Sequence, residues 1–204
     1  MVPEGVRERR RLERRNRIKE AAWAIFRSNA WEEATTREIA ARAGIAAGTL
    51  FLYARDKREL LLMIVNDELE GVTDATFSTL DPRSHYLEQL LSLFRTRFTF
   101  WAECGLSRSA LSEAFLVTAR NGLERQRFDL GRTSLVARIA ELVAHEQSTG
   151  RITKAVAPAE AAAMFMTLYR GEVRNWLVAD RLDPEAGVSR LRTFFRLLEI
   201  GLKS

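Results

Sequence analysis

Apolar residues return along this chain at intervals of three and four, and nowhere alternate at two over a strand's length, so the pattern predicts an all-α fold. Ile18, Ala21, Ala22, Ile25 and Phe26 form one stripe and predict a helix over Glu13–Asn29. A short helix over Thr36–Ala43 follows, with Thr35 or Thr36 as N-cap and Ile39, Ala40 and Ala43 inward. Another short helix spans Ala47–Tyr53, and Arg55-Asp56-Lys57 opens a long one to Thr73 whose inward residues are Leu60, Leu61, Ile64 and Leu69. Pro82 breaks the chain within Ser78–Ser84. Leu87, Leu90, Leu91, Phe94, Phe98 and Trp101 mark the next helix; Ser109–Arg120, closed by Asn121-Gly122, and Arg125–Thr149 come after it. Two helices, Pro158–Asp180 and Pro184–Leu202, each start on a proline, which the first turn tolerates. The expected organisation is an N-terminal three-helix head (1–60) and a larger C-terminal helical body (61–204).

Charge adds an asymmetry. Residues 1–60 hold 14 Lys/Arg against 9 Asp/Glu, whereas residues 61–204 hold 18 of each, so the net charge of +5 belongs entirely to the head. Seven arginines crowd into Arg7–Arg17. A basic end on a neutral remainder implies a polyanionic partner for that end, and nucleic acid fits better than membrane because the segment lacks a broad apolar face. A solvated charged helix face is the plainer alternative. The first residues contain no apolar core of a signal peptide, no run is long enough to span a membrane, and the single cysteine, Cys104, suits a reducing compartment. The expectation is a soluble, cytoplasmic protein.

The stretch ARAGIAAGTLFLYARDK (Ala41–Lys57) places Gly44 four residues after Ala40, and Leu50 six after Gly44. A small residue at a helix crossing, a glycine free to take φ > 0 in the turn, and an apolar anchor ten positions on is the spacing of a helix-turn-helix. A phosphate loop would need a lysine between Gly48 and Thr49, and a membrane-helix Gly-x-x-x-Gly pair would need an apolar twenty-residue surround; neither is present. A purely structural helical hairpin stays open.

The succession AAWAIF, ATTREIAARAGIAAGTLFLY and DKRELL resembles the TetR family of one-component bacterial regulators over about residues 14–66. Thr35, Thr36, Ile39, Ala40, Ala43, Gly44, Ile45, Gly48, Thr49, Leu50 and Lys57 fall in the family's order, with Phe51 standing for its usual tyrosine and Ala54 where phenylalanine is frequent. The resemblance implies a ligand-responsive repressor that binds a palindromic operator as a homodimer and is released by a small, largely apolar effector. It implies DNA contacts from Thr36 and Arg37 at a helix N-terminus, from Ala47, Gly48, Thr49, Phe51 and Leu52 in the recognition helix, and from Tyr53 and Lys57 to the backbone. That recognition helix is poor in long polar side chains, which shifts sequence discrimination to Arg37, to thymine methyl contacts and to groove-shape reading by the arginine arm.

In the body, aromatic and methionine residues on inward faces suggest an effector pocket built from Phe94, Phe98, Trp101, Phe115, Met164, Tyr169 and Trp176, though each also suits plain core. Arg97, Glu113, Arg170 and Glu172 could orient a ligand or serve in helix-surface salt bridges. The helix Pro184–Leu202 carries two adjacent stripes, Val188, Leu191, Phe195, Leu198 and Leu202 beside Phe194, Leu197 and Gly201. Such a wide apolar arc asks for burial on two sides. A four-helix dimer interface is expected from Phe165, Leu168, Gly171, Val188, Leu191, Phe195 and Leu198. Nothing points to catalysis, a metal or a cofactor: His85 and His145 have no ligand-spaced partner, and no carboxylate pair stands out. A helical enzyme or small-molecule-binding protein with an incidental basic head is the alternative.

Overall fold

A computed structural model describes residues 4–28, 31–116 and 122–202, with the side chains of Glu4, Leu116 and Leu202 excepted. The predicted helix end at Asn29, the Arg120–Asn121 closure and the Leu202 side chain lie outside the described residues. Among the described residues there are nine α-helices and no strand: α1 (Glu4–Ser28), α2 (Thr36–Arg42), α3 (Ala47–Leu50), α4 (Lys57–Thr79), α5 (Tyr86–Glu103), α6 (Arg108–Leu116), α7 (Leu123–Ser148), α8 (Pro158–Leu177) and α9 (Pro184–Leu202).

The first helix is longer than its apolar stripe predicts. α1 begins at Glu4, not Glu13, so the arginine arm is helical. Arginine and glutamate are good helix formers without any apolar periodicity, and Glu8 pairs with Arg11 one turn on. α3 is also shorter than expected and gives way to turns at Phe51–Tyr53, while α4 runs on to Thr79.

The chain divides into two compact units. The first holds residues 1–67 together with 105–128. Its core is Ile18, Ala22, Ile25 and Phe26 of α1, Ile39 and Ala40 of α2, Leu50, and Ala110 and Leu111 of α6. Leu60 to Val65, six consecutive residues of α4, are all buried, so this part of α4 is covered on every side. A charged cluster ties α1, α4 and the start of α7. Arg15 grips Asp67 with two bonds of 2.9 and 3.0 Å and reaches Glu124 at 3.2 Å; Lys19 and Arg127 join Asp67; and Asn66 Nδ2 donates to the Glu124 backbone oxygen at 2.8 Å. Burial alone would push the Asp67 carboxyl up, but hydrogen bonds from Arg15 and Arg127 outweigh it and hold the group far below the usual carboxylate range.

The second unit holds residues 68–104 and 129–204. Aromatic rings from α5, α8 and α9 form its centre: Phe94 stacks on Tyr169 (4.4 Å), Phe98 meets Trp176 edge-on (5.1 Å) and Phe165 meets Phe195 (4.9 Å). A methyl group on Gly187 would sit 2.8 Å from the Phe98 ring, so α9 approaches α5 where only hydrogen fits.

Candidate nucleic-acid interface

The helix-turn-helix is built from local chemistry. Thr35 caps α2 by accepting a 3.2 Å hydrogen bond from the Glu38 N–H. At the other end Gly44 takes φ +66°, its N–H bonds to Ala41 O and that of Ile45 to Ala40 O. This pair of bonds closes α2 in a Schellman turn that disfavours any residue with a Cβ. Leu50 anchors α3 in the core, fully buried. What remains outside is Arg37, Ala46, Ala47 and Gly48, with Phe51 half exposed and Leu52 81% exposed.

Arg37 is exposed in the first turn of α2, beside the half-buried Thr36, and no ion partner holds it among the described residues. It stands at the positive end of a helix, free to turn toward a phosphate or a base edge. Gly48 is informative in another way. Its φ is ordinary and a Cβ there would meet nothing within 4 Å, so no internal contact calls for glycine. Thr49 and Tyr53 are half buried at the edge of the same surface.

Lys57, expected at the DNA backbone, has contacts inside the head. Its ammonium points inward and donates to the backbone carbonyls of Trp31 (2.7 Å), Glu32 (3.3 Å) and Ala34 (3.3 Å) while lying 4.7 Å from the Trp31 ring centroid. An ammonium has three donors, and all three are engaged within the head. Lys57 therefore holds the loop that delivers Thr35 and Thr36. Its geometry is that of a clip.

The arginine arm likewise takes a different form. On helical α1, Arg7, Arg10, Arg11, Arg14 and Arg17 fall on one face, and α1 is exposed from Arg7 to Glu13. Arg17 ends this stripe at the turn: its Nη1 lies 4.0 Å from the position a Gly44 methyl would take, and it lines with Arg42 a recess of about 250 Å³. A rigid helix cannot thread a minor groove as an extended arm does, but it can lay a row of guanidiniums along phosphates.

Of the expected effector residues, Phe94, Phe98, Trp101, Tyr169 and Trp176 come together, all buried in the second unit. Phe115 belongs to the first unit, and Met164 is 48% exposed. Of the expected dimer residues, Phe165, Val188, Leu191 and Phe195 are buried within the single chain, Leu168 and Leu198 are half buried, and Gly171 is exposed. The outward apolar arc is Met164, Leu168 and Gly171 on α8 with Phe194, Leu197 and Ile200 on α9. Among the described residues no group of three His, Cys, Asp or Glu could hold a metal, and no helix is long and apolar enough to cross a membrane.

Comparison with known proteins places these observations. Residues 18–64 match the family model of bacterial regulatory proteins, tetR family. No curated protein matches the chain. Among solved structures, FadR of Thermus thermophilus in complex with lauroyl-CoA, a TetR family transcriptional repressor, is similar over 90% of this chain and 92% of its own, at TM-score 0.72 and 24% identity. The fatty acid degradation regulator FadR of Bacillus halodurans covers 91% and 94% at TM-score 0.66 and 20% identity. A transcriptional regulator of Saccharomonospora viridis in complex with choline covers 89% and 95% at TM-score 0.67 and 18% identity. The family's model thus falls on the helix-turn-helix, and the all-α fold is shared with these structures along most of the chain's length.

Proposed function

We propose that the protein is a repressor that binds a palindromic operator as a homodimer and releases it when a small, largely apolar effector enters the body. The observation that carries the reading is the outward face of the helix-turn-helix, where Arg37, Ala47, Gly48 and Leu52 are all exposed and the bare Gly48 serves no internal contact. Two such faces in a dimer read half-sites one helical turn apart. Support for the dimer comes from the arc of Met164, Phe194, Leu197 and Ile200, four large apolar side chains left in solvent on α8 and α9. Gly171 and Gly201 beside them have open space where a Cβ would be, which lets a partner helix approach closely. Support for the effector comes from the aromatic centre of the body and from relatives of the same fold that hold lauroyl-CoA or choline.

Footprinting on genomic DNA, followed by titration of the recovered site and a scrambled site across salt concentrations, tests the reading. A protected palindrome bound far more tightly than the scramble, with a steep salt dependence, is expected. Equal affinity for both sequences would refute it.

A further inference from the structure

Among the described residues of the second unit, three charged side chains are buried: Arg97, Glu146 and Glu172, at 8, 2 and 3% exposure. Two are matched. Glu146 accepts two 2.6 Å bonds from Arg151, and Glu172 accepts from Arg190. Arg97 has no such partner among the described residues. Its Nη1 donates to Thr73 Oγ1 on α4 at 2.8 Å, its guanidinium lies 5.7 Å from the Tyr169 ring centroid, and its Nε is buried with nothing to donate to.

An arginine cannot relieve burial by losing its proton, and a hydroxyl with a ring face returns little of what desolvating a full charge costs. With Nη1 committed to Thr73, the open edge is Nε with Nη2, whose parallel N–H bonds are what a carboxylate or phosphate accepts side by side. The surroundings suit an apolar ligand body. On α5 Arg97 shares a face with Phe94 and Trp101, and Tyr169 touches all three: its ring stacks on Phe94 at 4.4 Å and lies 5.7 Å from the guanidinium, and its hydroxyl accepts from Trp101 Nε1 at 3.2 Å.

We propose that Arg97 receives an oxyanion, carboxylate or phosphate, borne by an otherwise apolar ligand. The inference rests on the effector-responsive reading above and specifies the effector's head group. Binding of dodecanoate, dodecyl phosphate, dodecanol and inorganic phosphate to the full chain, below micellar concentrations, is measured by calorimetry and thermal shift. At least one of the tailed anions should bind ten-fold or more tighter than dodecanol, and the tailless phosphate weakly. Arg97→Met should bring the anion down to dodecanol's affinity while its ligand-free melting temperature stays level or rises, because an unpaired buried charge has been removed. Arg97→Lys, which keeps the charge but loses the fork, should lose at least ten-fold for the anion and nothing for dodecanol; it decides the question if the Met variant does not fold. Equal affinity for anion and alcohol, no binding of either tailed anion, or an anion preference that survives both substitutions overturns the proposal. Operator binding is assayed separately: a chain that binds operator without anion preference fails this inference alone, and one that prefers anions without binding any operator fails the regulator reading alone.

Discussion

The Lys57 ammonium sits over the Trp31 ring and donates to the Trp31 carbonyl at 2.7 Å, joining the first turn of α4 to the loop that leads into α2. Lys57→Met should therefore loosen the placement of α2. Loss of a charge-assisted bond set of this kind costs about 2 kcal/mol in chemical denaturation. DNA affinity should fall as well, yet the slope of log K against log salt should stay as in the parent, whereas removing a cation that neutralises a phosphate would reduce it by about 0.9. A reduced slope would return Lys57 to the DNA backbone.

Two glycines four residues apart should behave oppositely. Gly44→Ala forces a left-handed φ on an L residue and should cost about 1 kcal/mol of stability. Gly48→Ala should leave stability unchanged or raise it by up to about 1 kcal/mol, since the new methyl meets open space, and should weaken operator binding at least ten-fold. Melting curves and fluorescence anisotropy on the same two proteins check both halves.

Replacing Arg7, Arg10, Arg11 and Arg14 together by Gln should weaken operator and scrambled DNA by the same factor and flatten the salt slope by roughly 0.9 for each phosphate that is no longer neutralised. Circular dichroism should show α1 unharmed or steadier, because positive charges at a helix N-terminus oppose its dipole and repel one another at three- and four-residue spacing. Weakening confined to the operator would show instead that the arginines read sequence.

Asp67 gives a pH dependence with a definite sign. Its carboxyl is held below the ordinary range, so its contribution is complete above about pH 4 and drains away as pH falls toward the depressed folded value. Asp67→Asn should cost roughly 3 kcal/mol at neutral pH, since it removes the carboxylate that Arg15, Lys19 and Arg127 share, and the difference from the parent should narrow on acidification. Urea titrations at pH 7 and pH 3 measure it.

On α9, neighbouring residues should separate assembly from folding. Leu197, 62% exposed, changed to Asp should yield a folded monomer in sedimentation, with operator affinity down at least a hundred-fold. Phe195 is fully buried, and the same change there should prevent folding altogether. A Leu197→Asp protein that remains dimeric would place the interface elsewhere.

Much of the architecture was legible because helices announce themselves by spacing. The Ala40, Gly44 and Leu50 intervals predicted a helix-turn-helix, and the structure shows its Schellman turn at Gly44. The arginine helix was not legible as a helix, since its residues carry propensity without periodicity. Arg97 was visible as a charge on an apolar stripe, but a paired and an unpaired guanidinium read alike along a sequence. Glu172 and Glu113, named beside it, turned out to have arginine partners, Arg190 and Arg58.

The amino-acid sequence by itself determined the local features of this protein: most of its helical segments, where Gly44 must turn, that the charge belongs to the head, and that the short helix after that turn carries small side chains. Each follows from neighbours within a few residues. Tertiary structure alone decided that Lys57 faces inward, that α6 packs with the head unit, that Val188 and Phe195 face the core while Leu197 faces out, and that Arg97 is buried without a counter-ion among the described residues. Those outcomes depend on which distant segments meet, and a side chain's electrostatic partner is set by that meeting and not by its place in the chain.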